Sequence, residues 1–114
     1  MKNSVKKEIK KTIKELNLNC SIEEFKDKVD WYEISINQKL SENFIREFQD
    51  KVNWEYISSD QILSLEFVRE FQDKVEWECI EEYQNITRED IKEYEIKEKL
   101  NKTRVKNKFQ LIRF

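Results

Sequence analysis

The chain has 114 residues, enough for one compact domain and too few for two ordinary ones. Charged residues make up 40% and apolar residues 38%, with a formal net charge of −2, and glycine, proline, histidine and alanine are all absent. These absences exclude a phosphate-cradling loop, a dinucleotide fingerprint, Ser-His and Cys-His couples and His-containing zinc sites, so no catalytic activity, cofactor or metal is expected.

The first predicted element is a helix over about residues 3–17. Val5, Ile9, Ile13 and Leu16 lie along one side, and Lys6, Lys7, Lys10, Lys11 and Lys14 lie opposite. A basic amphipathic helix can rest on a membrane or bind nucleic acid. A stack of repeats also needs a cap, and residues 1–20 are expected to be that basic N-terminal cap, its apolar stripe covering the first repeat. No apolar h-region marks a secretory signal, and no run of about 18 apolar residues marks a transmembrane helix.

A period of 23 residues follows. Trp31, Trp54 and Trp77 keep that step, as do Phe25, Phe48, Phe71 and Tyr94. Ile22, Ile45, Val68 and Ile91 form another series, Val29, Val52 and Val75 a third, and Ile34, Ile57 and Ile80 a fourth; Gln38, Gln61 and Gln84 recur too. Several positions sharing one period imply stacked supersecondary units over residues 21–100.

Each unit reads as two helices. The first begins at Ser41, Ser64 or Thr87, whose hydroxyls can accept unpaired first-turn N–H groups. Leu40, Leu63 and Ile86 precede these caps, and Ile45, Val68 and Ile91 follow in position for a hydrophobic staple. The first unit is shifted, with Ser21 and Glu24 forming a capping box. Phe44, Ile45, Phe48 and Val52 share one face. Glu24–Lys28, Glu47–Lys51, Glu70–Lys74 and Glu93–Lys97 pair at i, i+4 on a solvated face. The second helix starts at Asp30, Asn53 or the weaker cap Glu76 and ends near Ser35, Ser58 or Glu81. Trp31, Trp54 and Trp77 are expected as core wedges between units, and Phe48 and Phe71 as core residues of the first helices. In the last unit Leu100 replaces Trp and Asp90 replaces a core Phe, as suits an atypical terminal unit. The predicted fold is therefore all-α, a small α-solenoid of 23-residue helix-turn-helix repeats with atypical capping helices at both ends.

The run LSENFIREFQDKVNWEYISSDQ, repeated as LSLEFVREFQDKVEWECIEEYQ, resembles short tandem helical repeats of proteins from phages and large DNA viruses. The resemblance covers about residues 21–100. It implies a helical repeat scaffold and says little about activity. Unit 1 departs from it in lacking the Leu-Ser cap, and unit 4 in lacking Trp. A composition poor in Gly, Ala and Pro and rich in Lys, Ile and Asn fits an AT-rich gene, as in some bacteria, phages and large viruses.

Residues 101–114 form a basic C-terminal cap or tail. Val105, Phe109 and Ile112 suit a helix, and with Leu111 and Phe114 they could close the last repeat or form a homodimer contact. Cys20 and Cys79 lie far apart and read as free thiols of a reduced, cytoplasmic protein.

Charge is segregated. Residues 1–14 carry net +5 and residues 97–114 net +6, while residues 15–96 hold nine basic and 22 acidic groups, net −13. Repeat positions that vary gather on the second helix of each unit or just after it: Tyr32, Glu55 and Glu78; Glu33, Tyr56 and Cys79; Asn37, Asp60 and Tyr83. Glu76, Glu81 and Glu82 add charge there. Solenoids commonly bind through such a surface. The candidate partner site is Tyr32, Glu33, Glu55, Tyr56, Asp60, Glu78, Glu81, Glu82 and Tyr83. The expected partner is a protein with a basic, nucleic-acid-binding surface, and the expected function is a small viral inhibitor of a host nucleic-acid enzyme, anti-CRISPR or anti-restriction in type. The alternative is direct nucleic-acid binding or self-assembly through the basic ends.

Overall fold

The structure is a computed structural model that describes residues 1–112, with side chains through residue 102. Every described element is helical: α1 (Asn3–Glu15), α2 (Phe25–Lys28), α3 (Trp31–Asn37), α4 (Glu42–Glu47), α5 (Trp54–Asp60), α6 (Leu65–Glu70), α7 (Trp77–Cys79) and α8 (Arg88–Ile112). A π-helical turn, Ile80–Gln84, extends α7. The molecule measures 66 × 32 × 19 Å and its radius of gyration is 18.6 Å. A compact chain of this length would give about 13 Å, so the helices are laid out along one axis.

The local signals act as expected at most helix starts. Ser41 and Ser64 accept from the N–H groups of Phe44 and Phe67, both at 3.1 Å. Thr87 accepts from Asp90 N–H at 3.2 Å, and Asp90 accepts from Thr87 N–H at 2.8 Å, which completes a reciprocal box. Ser21 and Glu24 form the same box, and the serine hydrogen bonds hold the Glu24 carboxyl below its ordinary pKa. Asp30 and Asn53 cap α3 and α5, whereas Glu76 makes no side-chain cap bond to α7. With no glycine available, asparagine takes the left-handed positions: Asn17 (φ 53°) and Asn85 (φ 55°). Asn17 lets Leu18 N–H reach Ile13 C=O at 2.9 Å, the bond that closes a Schellman motif after α1.

The core lies between two rows. α3, α5 and the α7–π segment pack side by side. α1 packs on α4, and α6 on α8. Phe25, Phe44, Phe67, Ile34, Ile45, Ile57, Val68 and Ile80 are fully buried between the rows. Val5 and Ile9 of α1 join them, with Ile13 and Leu16 packed partly against the same core. Glu8 of α1 accepts from Ser41 N–H, and Glu42 of α4 accepts from Ser64 N–H and Oγ. α1 thus stands to α4 as α4 stands to the next segment, and supplies what the shifted first unit lacks.

Polar groups at the 23-residue step tie neighbouring segments together. Ser35 Oγ accepts from Asn53 N–H at 3.1 Å, and Ser58 Oγ from Glu76 N–H at 3.0 Å. Gln61 donates to the carbonyls of Ser35 (3.0 Å) and Gln38 (2.7 Å) and accepts from Leu40 N–H at 2.9 Å. Gln84 repeats the pattern one step on, donating to the carbonyls of Ser58 and Gln61 and accepting from Leu63 N–H. Ser35, Ser58 and Gln61 are buried, so these bonds satisfy groups that water cannot reach. The serine position becomes exposed Glu81 in the third segment, and the serine series ends there.

Several expectations are corrected. The second helices run to Asn37, Asp60 and, through the π turn, Gln84, beyond Ser35, Ser58 and Glu81. The Glu47–Lys51, Glu70–Lys74 and Glu93–Lys97 pairs do not close to ion-pair distance. Instead Arg46 bonds Glu70 at 2.9 Å and Lys74 reaches Asp50 at 3.6 Å, both between segments. The chain leaves the helix after Glu47 and Glu70, so Lys51 and Lys74 do not fall one helical turn above those carboxylates. Phe48 and Phe71 are buried, but Trp31, Trp54 and Trp77 are only half-buried, because each indole N–H turns back to the carbonyl five residues earlier. Leu100 is 50% exposed and fills no tryptophan site. Residues 102–112 continue α8 rather than forming a separate element. The packing expected of Val105, Phe109, Leu111, Ile112 and Phe114 lies outside the described side chains.

The unbroken course of α8 has a further effect. α4 and α6 end at Glu47 and Glu70, and the turn that follows folds Phe48 and Phe71 under a tryptophan. α8 stays helical, so Tyr94 keeps its helical position and faces α6. There its hydroxyl donates to Glu66 at 2.8 Å and its ring stacks under Arg69. The Glu66 hydrogen bond first, then desolvation and Glu98, push Tyr94 up to about 12. A raised tyrosine pKa contributes stability that is fully present below the ordinary value of 10 and is lost as pH rises through about 12. Unfolding midpoints measured between these pH values should fall more for the native chain than for Tyr94→Phe.

Candidate protein-binding surface

Capping by Asp30 and Asn53 sets the start of α3 and α5, and the buried serine and glutamine bonds hold these helices and the α7–π segment in parallel contact. Their outer faces carry the variable repeat positions. Tyr32, Glu33, Glu55, Asp60, Glu78, Glu81, Glu82 and Tyr83 are exposed, and Tyr56 is half-buried.

Tyr32 and Tyr56 come together. Their rings meet edge to face at 4.9 Å, and their hydroxyls are 2.8 Å apart. The hydrogen bond to Tyr32, then desolvation and the nearby charges of Glu55 and Asp60, raise the Tyr56 pKa. Tyrosines with hydrogen-bonded hydroxyls form an amphipathic contact of the kind enriched in protein interfaces.

Cys79 occupies the repeat position of Tyr56, one segment on. Burial, followed by Glu55, Glu76, Glu82 and Glu78, raises its pKa. Glu55 of α5 and three carboxylates of the next segment thus all disfavour the thiolate. Cys79 was no part of the site expected from sequence. Its signal was its repeat position among the glutamates. The surface joins Tyr32, Glu55, Tyr56, Asp60, Glu78 and Glu82. Glu33, Glu81 and Tyr83 lie on the same three segments, but no side-chain hydrogen bond, ion pair or ring contact links them to that group. Tyr83 is 60% exposed on the π turn.

Such a field can be measured at the thiol. In a Cys20→Ser background, Glu55→Gln with Glu76→Gln should speed alkylation of Cys79 at pH 8 by about twofold or more, because less negative potential opposes the thiolate. An unchanged rate would place those carboxylates away from Cys79.

Among the described residues no group of three or more His, Cys, Asp and Glu side chains could hold a metal ion. Likewise no described helix is long and apolar enough to cross a membrane. The apolar stripe of α1 is turned into the core, which leaves Lys6, Lys7, Lys10, Lys11 and Lys14 exposed on its outer side. Lys11 approaches Glu15 at 3.8 Å. Compared with protein-family models, curated proteins and solved structures, the chain matches none of them.

Proposed function

We propose that the chain is an α-solenoid of 23-residue units and a non-catalytic protein-binding module. Its partner is a protein with a basic, nucleic-acid-binding surface, and it acts as a small phage or viral inhibitor of a host nucleic-acid enzyme, anti-CRISPR or anti-restriction in type. The observation that carries the reading is the row of exposed carboxylates Glu55, Asp60, Glu78 and Glu82 on neighbouring packed segments, beside the Tyr32–Tyr56 pair. Carboxylates spaced along parallel helices offer acceptors to Lys and Arg that otherwise hold phosphates, and the tyrosines supply area that excludes water. Electrostatic complementarity of this sort speeds association and weakens with salt. The resemblance to viral tandem repeats supports the proposed origin.

Affinity capture on the immobilised chain tests this, with elution by oligonucleotide and, separately, by rising salt. Recovery of a nucleic-acid enzyme in the oligonucleotide eluate is the expected result. Glu55→Lys with Glu78→Lys and Glu82→Lys should abolish that capture while leaving the melting temperature within a few degrees. A partner that resists both eluents, or binds the triple variant equally, sinks the electrostatic mode.

A second reading rests on the exposed lysine row of α1, which fits direct phosphate contact. Because Val5 and Ile9 are core residues, deletion of α1 would unfold the cap. Charge removal is the cleaner variant: Lys6→Gln, Lys7→Gln, Lys10→Gln and Lys14→Gln together should flatten the salt dependence of any nucleic-acid binding.

A further inference from the structure

The two inner tryptophans and the last one have the same half-site and different neighbours. Trp31 packs on Phe48 at 4.9 Å and Phe44 at 6.1 Å between ring centroids. Trp54 packs on Phe71 at 5.3 Å and Phe67 at 6.3 Å. Trp77 is anchored as they are, its indole N–H donating to Gln72 C=O at 3.0 Å, with buried Val75 beneath. No aromatic ring of the described residues meets it. The phenylalanine positions of the next unit are Asp90, spent on the Thr87 cap, and Tyr94, turned to α6. The Arg88 guanidinium lies over the indole instead, 4.9 Å from its centroid. A cavity of about 530 Å³ remains there, with Trp77, Val75 and Ile91 as its apolar wall and Asp73, Arg88 and Lys92 among its polar rim.

We propose that this cavity is a docking site for a segment of a partner protein that bears two phenylalanines and, three residues after the second, a lysine or arginine. The chain itself shows what such a half-site accepts, since two phenylalanine rings fill it twice over. Charge favours the same occupant. Asp50, at the repeat position of Asp73, is paired with Lys74, three residues after the second phenylalanine of the segment that covers Trp54. The cation at that step in α8 is Lys97, and it lines a separate hollow beside Leu65 and Tyr94. Asp73, with Arg88 and Lys92 on the same rim but no ion pair of the kind Asp50 makes, would gain one from a Lys or Arg of the incoming segment. Arg88 holds the ring face until then. Phenylalanine rings give the indole face apolar contact that a hydrated guanidinium does not, which favours the exchange. Arg69 meets α8 through Glu98 at 3.4 Å and the Tyr94 ring, but its buried Nε lacks the hydrogen bond that the matching Arg46 Nε makes to Glu70. The inference uses residues other than the carboxylate surface and stands without it.

The test uses a defined probe, a capped peptide with the sequence of residues 64–75, SLEFVREFQDKV, titrated into the full ¹⁵N-labelled chain. The three indole N–H signals are followed by NMR, with Trp77 assigned through Trp77→Phe. The Trp77 signal should move while those of Trp31 and Trp54 stay. A peptide with both phenylalanines changed to alanine should bind about tenfold more weakly or worse. Lys92→Phe, which fills the cavity from an exposed position of α8, should cause a similar loss without lowering the melting temperature. No movement at millimolar peptide, equal binding of the alanine peptide, or movement of all three indoles overturns the proposal. So does a Trp77 shift that depends on protein concentration alone, which would make a second copy the occupant. Equal effect of N-acetylphenylalanine amide would make it a small-molecule pocket.

Discussion

Trp54→Ala should lower the unfolding free energy by about 3 kcal/mol, at the low end of the range for buried tryptophan because the ring is half-exposed. The loss has three parts: stacking on Phe67 and Phe71, the 2.9 Å bond from the indole to Gln49 C=O, and the void left between segments. For a chain of this size the melting temperature should fall by about 12 °C. Trp77→Ala should cost less than half as much, about 1 kcal/mol, because Arg88 rather than aromatic rings lies over its face and no rings are stranded by its loss. Equal losses at the two positions, measured by urea unfolding, would mean that the last interface is packed as tightly as the one before it. The contrast tests the repeat packing without assuming any function.

The second large effect is expected at Gln61. Gln61→Leu keeps the volume and removes the bonds to Ser35 C=O, Gln38 C=O and Leu40 N–H. Gln61 is 4% exposed, so water cannot replace them. Leaving buried backbone groups unpaired should cost about 2–4 kcal/mol. Gln38→Leu is the control, with an expected cost of about 0.5 kcal/mol or less. Gln38 holds the same repeat position, but no segment of this type precedes it, and only its backbone carbonyl enters the series. If both variants unfold at the same urea concentration, the glutamine bonds are not what ties neighbouring segments together.

The helix starts were legible in the residues because capping is local. A hydroxyl or carboxylate three residues before an N–H needs no distant partner, and Ser41, Ser64, Thr87, Asp30 and Asn53 all act as their spacing suggests. The buried faces of α1, α4 and α6 were legible too, since apolar residues at helical spacing leave the chain one side to bury. The candidate surface was half legible. Variable positions at a fixed period pointed to the second helices, but nothing in the order of residues says that Tyr32 and Tyr56 share a hydrogen bond, or that Glu55 reaches the field of Cys79.

The sequence by itself determined an all-helical chain, its caps, its period of 23 and the identity of most core residues. The tertiary structure alone decided which carboxylate meets which cation, why Ser35, Ser58, Gln61 and Gln84 recur, and how far each tryptophan is buried. The reason is physical. Caps and amphipathic stripes are satisfied within one or two helical turns, whereas the Arg46–Glu70 pair, the glutamine bonds and the aromatic stacking join residues more than a dozen apart, and exist only once neighbouring segments are in contact. The open face of Trp77 belongs to the second class. It follows from α8 remaining helical where α4 and α6 turn, and that difference becomes visible only when the last helix lies against the segment before it.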